Sequence, residues 1–249
     1  MAGHSKWANI KHRKGRQDAK RGKLFAKLAK AIEVAAREGG GSVDFNPTLA
    51  TAVEKAKAAD MPNDNIERAI KRGTGEVEGA VYEEMFYEGY GPGGVALYVH
   101  ILTDNRNRAA SDVRSTFTRF NSSLGEPGSV GYLFSQKGVI LAKGSEEDVM
   151  LTALDAGAED VREAGGEVFE VVTEAGGLQQ VRDALASNGI SIESADVTRL
   201  PSTLIPVEES DAKKLLRLID ALDDLDDVQE VYSNYDIDDS VMENALAEA

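Results

Sequence analysis

The sequence predicts an α+β protein: an N-terminal three-helix domain, then two ferredoxin-like α+β domains, one inserted in the other. Three observations carry that expectation. Residues 18–72 show helical apolar periodicity alone, and β-rich runs with helical segments between them fill the chain from residue 81 onward. Residues 133–200 read strand, helix, strand, strand, helix, strand, which is the order of a ferredoxin-like unit. The outer pieces, 80–120 and 203–238, supply two strands and a helix, then strand, helix, strand. They are expected to close into one domain around the insertion, because domain termini commonly lie close together. The expected bounds are 1–78 for a basic arm with the helices, 79–131 plus 203–249 for the discontinuous domain, and 132–202 for the insert.

Each element has its own warrant. Residues 1–16 have only Trp7 and Ile10 as sizeable apolar side chains, too few to offset the entropy of ordering sixteen residues, so this arm is expected to order on a partner. From Asp18, at 100° per residue, Leu24, Phe25, Leu28, Ala29, Ile32, Ala35 and Ala36 share one side of a helix. Lys20, Lys23, Lys27, Lys30 and Arg37 fall on the opposite side, within an arc of roughly 100°. Gly39 in "REGGGS" is the expected left-handed cap. Asn46 and Pro47 start the second helix, which runs through "TLATAVEKAKAA" and stops before Pro62. Asp64 and Glu67 have capping-box spacing ahead of "IERAIKR", closed by Gly73, and "GTGEVEGA" reads as an acidic linker. The strand runs are "VYEEMFYEGY", "VALYVHILTD", "GVILAK", "EVFEVVT", "ISIESADVTRL", "TLIPV" and "VQEVYSNYDI"; helices are expected at 109–120, 146–156, 178–187 and 211–222. "NSSLGEPGSVG" and "LPST" are the expected crossings between the two α+β domains.

Composition bounds the function. The 249 residues are 42% hydrophobic and 29% charged, with no apolar stretch long enough to span a membrane, so a soluble protein without a membrane partner is expected. The basic start has no apolar run behind it, unlike a secretory signal, and no repeated apolar face, unlike a transit peptide. Zero cysteines leave no disulfide, thiol nucleophile or cysteine metal site, and suit a reducing cytoplasm.

Net charge is −15 but segregated: residues 1–72 carry 16 Lys and Arg against 8 Asp and Glu, and the remainder carries 12 against 35. Such asymmetry points to a polyanion-binding end on an acidic body. The competing reading, in which basic and acidic parts attract each other within the fold, offers the arm only a screened surface interaction.

No catalytic constellation is visible, and no cofactor or metal is expected. His100 lies in "ALYVHILTD", where alternation and burial account for it; His4 and His12 are isolated. "DALDDLDD" at 220–227 lacks the loop spacing of a calcium hand and reads as a solvated helix end. "GYGPGG" at 89–94 precedes a strand rather than a helix, so it reads as a hairpin loop rather than a phosphate cradle.

Nucleic-acid binding has more support. Lys6, Lys11, Arg13, Lys14, Arg16, Lys20, Arg21 and Lys23 are spaced as phosphate contacts are, Trp7 and less strongly His12 offer stacking surfaces, and Lys27 and Lys30 extend the row along the helix. A secondary cluster, Arg106, Arg108, Arg114 and Arg119, has two readings of equal weight: a second contact, or a helix satisfying nearby carboxylates. An acidic body is repelled by a long duplex, which favours RNA over DNA as the partner.

"GHSKWANIKHRKGRQDAKRGKLF", "YEGYGPGG", "TDNRNR…DVR…F" and "GSVGYLFSQKG" together resemble the YebC/PmpR family over essentially the whole chain. One departure is "NSSLGE" at 121–126, where Ser122 and Ser123 stand at positions the family pattern fills with glycine, which bears on the flexibility of that loop. The resemblance implies three domains, a cytoplasmic location and no enzymatic activity. Two functions attach to the family: a DNA-binding transcriptional regulator, and a ribosome-associated factor that supports translation, notably of proline-rich stretches. A mitochondrial relative is a translational activator of cytochrome c oxidase. The partners so implied are ribosomal RNA or DNA, with ribosomal proteins facing the acidic domains.

Overall fold

The computed structural model describes residues 21–238 and 241–242. Among the described residues three helices come first: α1 (Arg21–Gly39), α2 (Pro47–Ala58) and α3 (Asn63–Gly73). They close over Ile32, Ala36, Leu49, Val53, Met61, Ile66 and Ala69, the apolar face that the periodicity marks on α1 and its counterparts on α2 and α3. Asn46 joins the first two helices. Its side-chain oxygen accepts from the Leu49 amide at 3.0 Å, and its amide nitrogen donates to the Ala35 and Gly40 carbonyls at 2.8 Å.

Two capping expectations are corrected here. The left-handed residue after α1 is Gly40 (φ 86°), not Gly39; a Cβ on Gly39 would sit 2.5 Å from the Asn46 side chain. No capping box starts α3 either: Pro62 precedes the helix without a side-chain cap, and Asp64 lies inside the first turn, where its charge favours the helix dipole. Gly73 ends α3 because α1 passes too close for a side chain, with a Cβ there 2.5 Å from the Glu33 carbonyl oxygen.

Beyond the linker stand two four-stranded sheets. The first has the order β3-β1-β2-β9, built from β1 (Glu83–Tyr90), β2 (Ala96–Thr103), β3 (Ser123–Leu124) and β9 (Val228–Ser233). All its pairings are antiparallel, with Glu83 opposite Thr103 and Tyr90 opposite Ala96 in the β1–β2 hairpin. Leu97, Val99 and Ile101 pack on helices α4 (Arg106–Arg119) and α7 (Glu209–Asp223). The second sheet has the order β5-β6-β4-β7 and comes from one continuous stretch: β4 (Phe134–Lys143), α5 (Glu146–Asp155), β5 (Asp160–Gly165), β6 (Val168–Glu174), α6 (Leu178–Ser187) and β7 (Ser191–Pro201). Ile140, Ala142 and Val171 meet Val149, Ala153, Val181 and Leu185 from its helices. A short parallel pair, β8 (Ile205–Pro206) with β10 (Tyr235–Asp236), stays outside both sheets.

An aromatic ladder joins the sheets on the face of the first that α4 and α7 leave uncovered. Phe86, Tyr98 and Phe134 stack with ring centroids 4.6 and 5.7 Å apart, and the Arg199 guanidinium of β7 lies 5.0 Å from the Phe86 ring. Boundaries differ from expectation where apolar signal is lacking. Helix α4 begins at Arg106 rather than Ala109, because Asn105 caps it by accepting from the Arg108 amide, and "RNR" carries no apolar side chain to show the period.

Candidate nucleic-acid interface

Lys6, Trp7, Lys11, His12, Arg13, Lys14, Arg16 and Lys20 lie outside the described residues. The structure places the rest of the expected basic row, and it ties much of that row to other parts of the chain. The Lys23 ammonium donates to the Asp224 carbonyl at 2.8 Å. Lys27 donates to the Asp223 carbonyl at 2.7 Å and pairs with its carboxylate at 3.0 Å. Lys30 donates to the Asp226 carbonyl at 2.8 Å and to the Asp227 carboxylate at 2.9 Å. Arg37 donates to the Ala80 carbonyl. Lys27 and Lys30 are half-buried in these contacts, whereas Lys23 and Arg37 remain exposed, as does Arg21 in a loose 3.7 Å pair with Asp60.

The reason is the C-terminus of α7. A helix end presents unsatisfied carbonyls and the negative pole of the dipole. Here "DALDDLDD" adds carboxylates to that pole, and the Lys23, Lys27 and Lys30 spacing delivers three ammonium groups from one face of α1. The solvated-end reading of this segment is therefore corrected: it is where α1 docks. Lys27 and Lys30 are half-buried ties of this dock, and Lys23 is an exposed one.

Asp227 is the centre of the dock. Its carboxylate is almost wholly buried and accepts from Lys30, from the Thr103 hydroxyl at 2.9 Å and from the Arg108 guanidinium at 2.8 and 3.1 Å. Burial alone would raise its pKa, but the bonds from Lys30, Arg108 and Thr103 outweigh it and hold the group below its ordinary range. Beside it is a cavity of about 290 Å³ that Lys23, Arg108, Asp112 and Asp224 help to line.

The secondary cluster divides. Arg108 is tied to Asp227 and, at 2.6 Å, to Asp104, so the reading in which α4 satisfies nearby carboxylates holds for this residue. Arg106 makes an exposed 3.5 Å pair with Glu83. Arg119 lies over the Phe120 ring at 5.3 Å, and Arg114 points from the open face of α4.

Glu88, which sequence reasoning did not single out, holds the first crossing between the sheets. Its carboxylate accepts from the Gly128, Val130 and Gly131 amides at 2.7, 2.6 and 2.7 Å. Burial pushes its pKa up, and the three amides more than reverse that. The available signal was an acid on the strand face that carries Phe86. Around the same crossing Asn121 adopts φ 52°, Ser122 donates to the Phe120 carbonyl, and β3 pairs with β1, so the serine-for-glycine departure sits in an ordered turn. "GYGPGG" is a hairpin with left-handed Gly93 and Gly94, and a Cβ on Gly91 would reach Leu215 at 3.0 Å. His100 stacks on Phe86 and contacts Glu84 at 2.7 Å.

Comparison with known proteins adds the following. Residues 5–76 match the family model for the TACO1/YebC protein N-terminal domain, and residues 82–235 match that for the TACO1/YebC second and third domain. A protein of Acidothermus cellulolyticus is 57% identical over 97% of this chain and 99% of its own, and one of Halothermothrix orenii is 52% identical over the whole of both. Both are named probable transcriptional regulatory proteins. The crystal structure of a conserved hypothetical protein of Aquifex aeolicus superposes with a TM-score of 0.82 at 48% identity, covering 92% of this chain and 96% of that one.

Proposed function

The chain belongs to the TACO1/YebC family, and from that premise we propose that it is a non-enzymatic, nucleic-acid-binding regulator of gene expression. The observation that carries the reading is where positive charge remains for a partner. Lys27 and Lys30 are taken up by the Asp-rich end of α7, which weights the contact toward the residues that precede them: Lys6, Lys11, Arg13, Lys14, Arg16 and Lys20, with Trp7 and His12 as stacking surfaces and Lys23 exposed beside them. Arg21 continues that row at the root of α1.

Ribosomal RNA is the favoured partner, and support for synthesis of proline-rich stretches the favoured role. The body after residue 72 carries 12 cations against 35 acids, which repels a long duplex but suits basic ribosomal proteins. Work in the cytoplasm, without a cofactor, goes with that role. The pairing of β9 with β2 across the intervening segment supports a division at 1–78, 79–131 with 203–249, and 132–202. A DNA-binding transcriptional regulator is the second reading, favoured by the names of the relatives.

Co-sedimentation with ribosomes beside a duplex-DNA titration, at physiological salt, separates them. Intact protein and a variant with Lys11, Arg13, Lys14 and Arg16 changed to Ala are compared in each. Pelleting that the variant loses, with negligible DNA affinity, is the expected result. Tight, sequence-selective DNA binding without pelleting overturns the ribosomal reading.

A further inference from the structure

We propose that the open face of α4 is a second phosphate-contacting surface, which an RNA strand held by the N-terminal arm also engages. The proposal rests on the nucleic-acid reading above and adds to it a site outside the arm. Helix α4 buries Ala109, Val113, Thr116 and Phe117, and turns Asn107, Ser111, Arg114, Ser115, Thr118 and Arg119 to its exposed side. None of those six is a carboxylate, in a chain whose net charge is −15.

The composition of this face is poorly explained by stability. Asn, Ser and Thr are mediocre helix formers, and an exposed helix is better served by Glu, Lys or Ala. Short polar side chains flanking arginine do, however, allow a sugar–phosphate backbone to approach closely. Among the described residues no carboxylate pairs with Arg114, and Arg119 lies over an aromatic ring without a carboxylate partner. The nearby acids do not cancel them: Asp104 is held by Arg108, and Asp112 lies on the flank that lines the cavity. Five residues apart, Arg114 and Arg119 are separated by about 7.5 Å along the helix axis and about 140° around it, so they stand at opposite edges of the exposed side, where a strand laid across the helix meets both.

Position completes the case. Lys23, in the first turn of described α1, lines the same cavity as Arg108 and Asp112 of α4. Helix α1 therefore starts beside α4, and a strand that reaches Lys23 has a short path onto the arginine face. RNA is preferred to DNA because the Asn107 amide and the Ser111 and Ser115 hydroxyls can pair with 2′-hydroxyls.

The test is fluorescence anisotropy of the full chain with a single-stranded RNA of about 20 nucleotides and the DNA strand of the same sequence, across a salt series. Wild type, the four-alanine arm variant and Arg114→Gln/Arg119→Gln are compared, with thermal midpoints for each. The double variant is expected to bind RNA roughly tenfold more weakly and to flatten the slope of log affinity against log salt by about 1.4, for two lost phosphate contacts. Its thermal midpoint should not move, and its loss on DNA should be smaller. If wild type binds RNA and the arm variant does not, but the double variant keeps affinity and slope, the α4 surface is overturned and the arm reading survives. If wild type binds neither strand, the nucleic-acid reading fails and takes this surface with it. Equal losses on RNA and DNA overturn the choice of RNA.

Discussion

Helices α1 and α4 each carry a row of cations, and the fold treats the two rows in opposite ways. On α1 the row meets the C-terminus of α7, and Lys23, Lys27 and Lys30 are held by carbonyls and carboxylates of residues 223–227. On α4 only Arg108 faces that segment; Arg114 and Arg119 look outward. A row of cations on a helix thus does not define a binding surface until the element opposite it is known. Here that element is a helix end whose dipole and side chains are both negative, so it attracts a cationic face from elsewhere in the chain.

The sharpest way to break the comparison is to remove the carboxylate that both rows share. Asp227→Ala leaves Lys30, Arg108 and Thr103 converging on nothing, two cations in a site where the lost side chain was only 7% exposed. A loss of roughly 3 kcal/mol is expected, read as a lower denaturant midpoint. Lys30→Ala should cost less, about 1–2 kcal/mol, because Arg108 still compensates Asp227. A double-mutant cycle between Lys30 and Asp227 should show strong coupling, and additive effects would mean that α1 is held by packing alone.

Acid offers a milder perturbation of the same dock. Asp227 and Glu88 are held below their ordinary values of 3.8 and 4.5. The unfolded chain therefore takes up these protons first. The stability each group contributes is complete above its ordinary value and lost as pH falls through the depressed folded value. Wild type should lose stability below about pH 4, and Asp227→Asn, less stable at neutral pH, should show a shallower acid slope. An unchanged slope would mean that Asp227 contributes little through its charge.

Much of this architecture was legible in the sequence, because apolar periodicity reports on packing. Ile32, Leu49 and Ile66 mark the helices, and alternation through Leu97, Val99 and Ile101 marks a central strand. The docking of α1 was not legible, since no period links Lys30 to a carboxylate 197 residues away. A physical clue did exist: five aspartates between 220 and 227, at the negative end of a helix, are self-repelling and call for cations from outside. Glu88 was hidden for a related reason, as its partners are backbone amides, which every sequence carries and none advertises. In the secondary cluster, composition alone could not divide Arg108 from Arg114, because the division is made by which side of α4 faces α7.

That division yields the smallest expected effect and the most discriminating one. Arg114→Gln and Arg119→Gln, singly, should shift stability by no more than about 0.5 kcal/mol, as surface changes without a burial or pairing role do. Arg108→Gln, from the same helix and with the same change of charge, should destabilise clearly, because the buried Asp227 carboxylate loses a bidentate partner. Three identical substitutions on one helix thus separate cations that hold the fold from cations left for a partner, and denaturant midpoints suffice to read the difference. If Arg114→Gln destabilised as much as Arg108→Gln, the outward face of α4 would be structural, and the contrast between the two helices would fail.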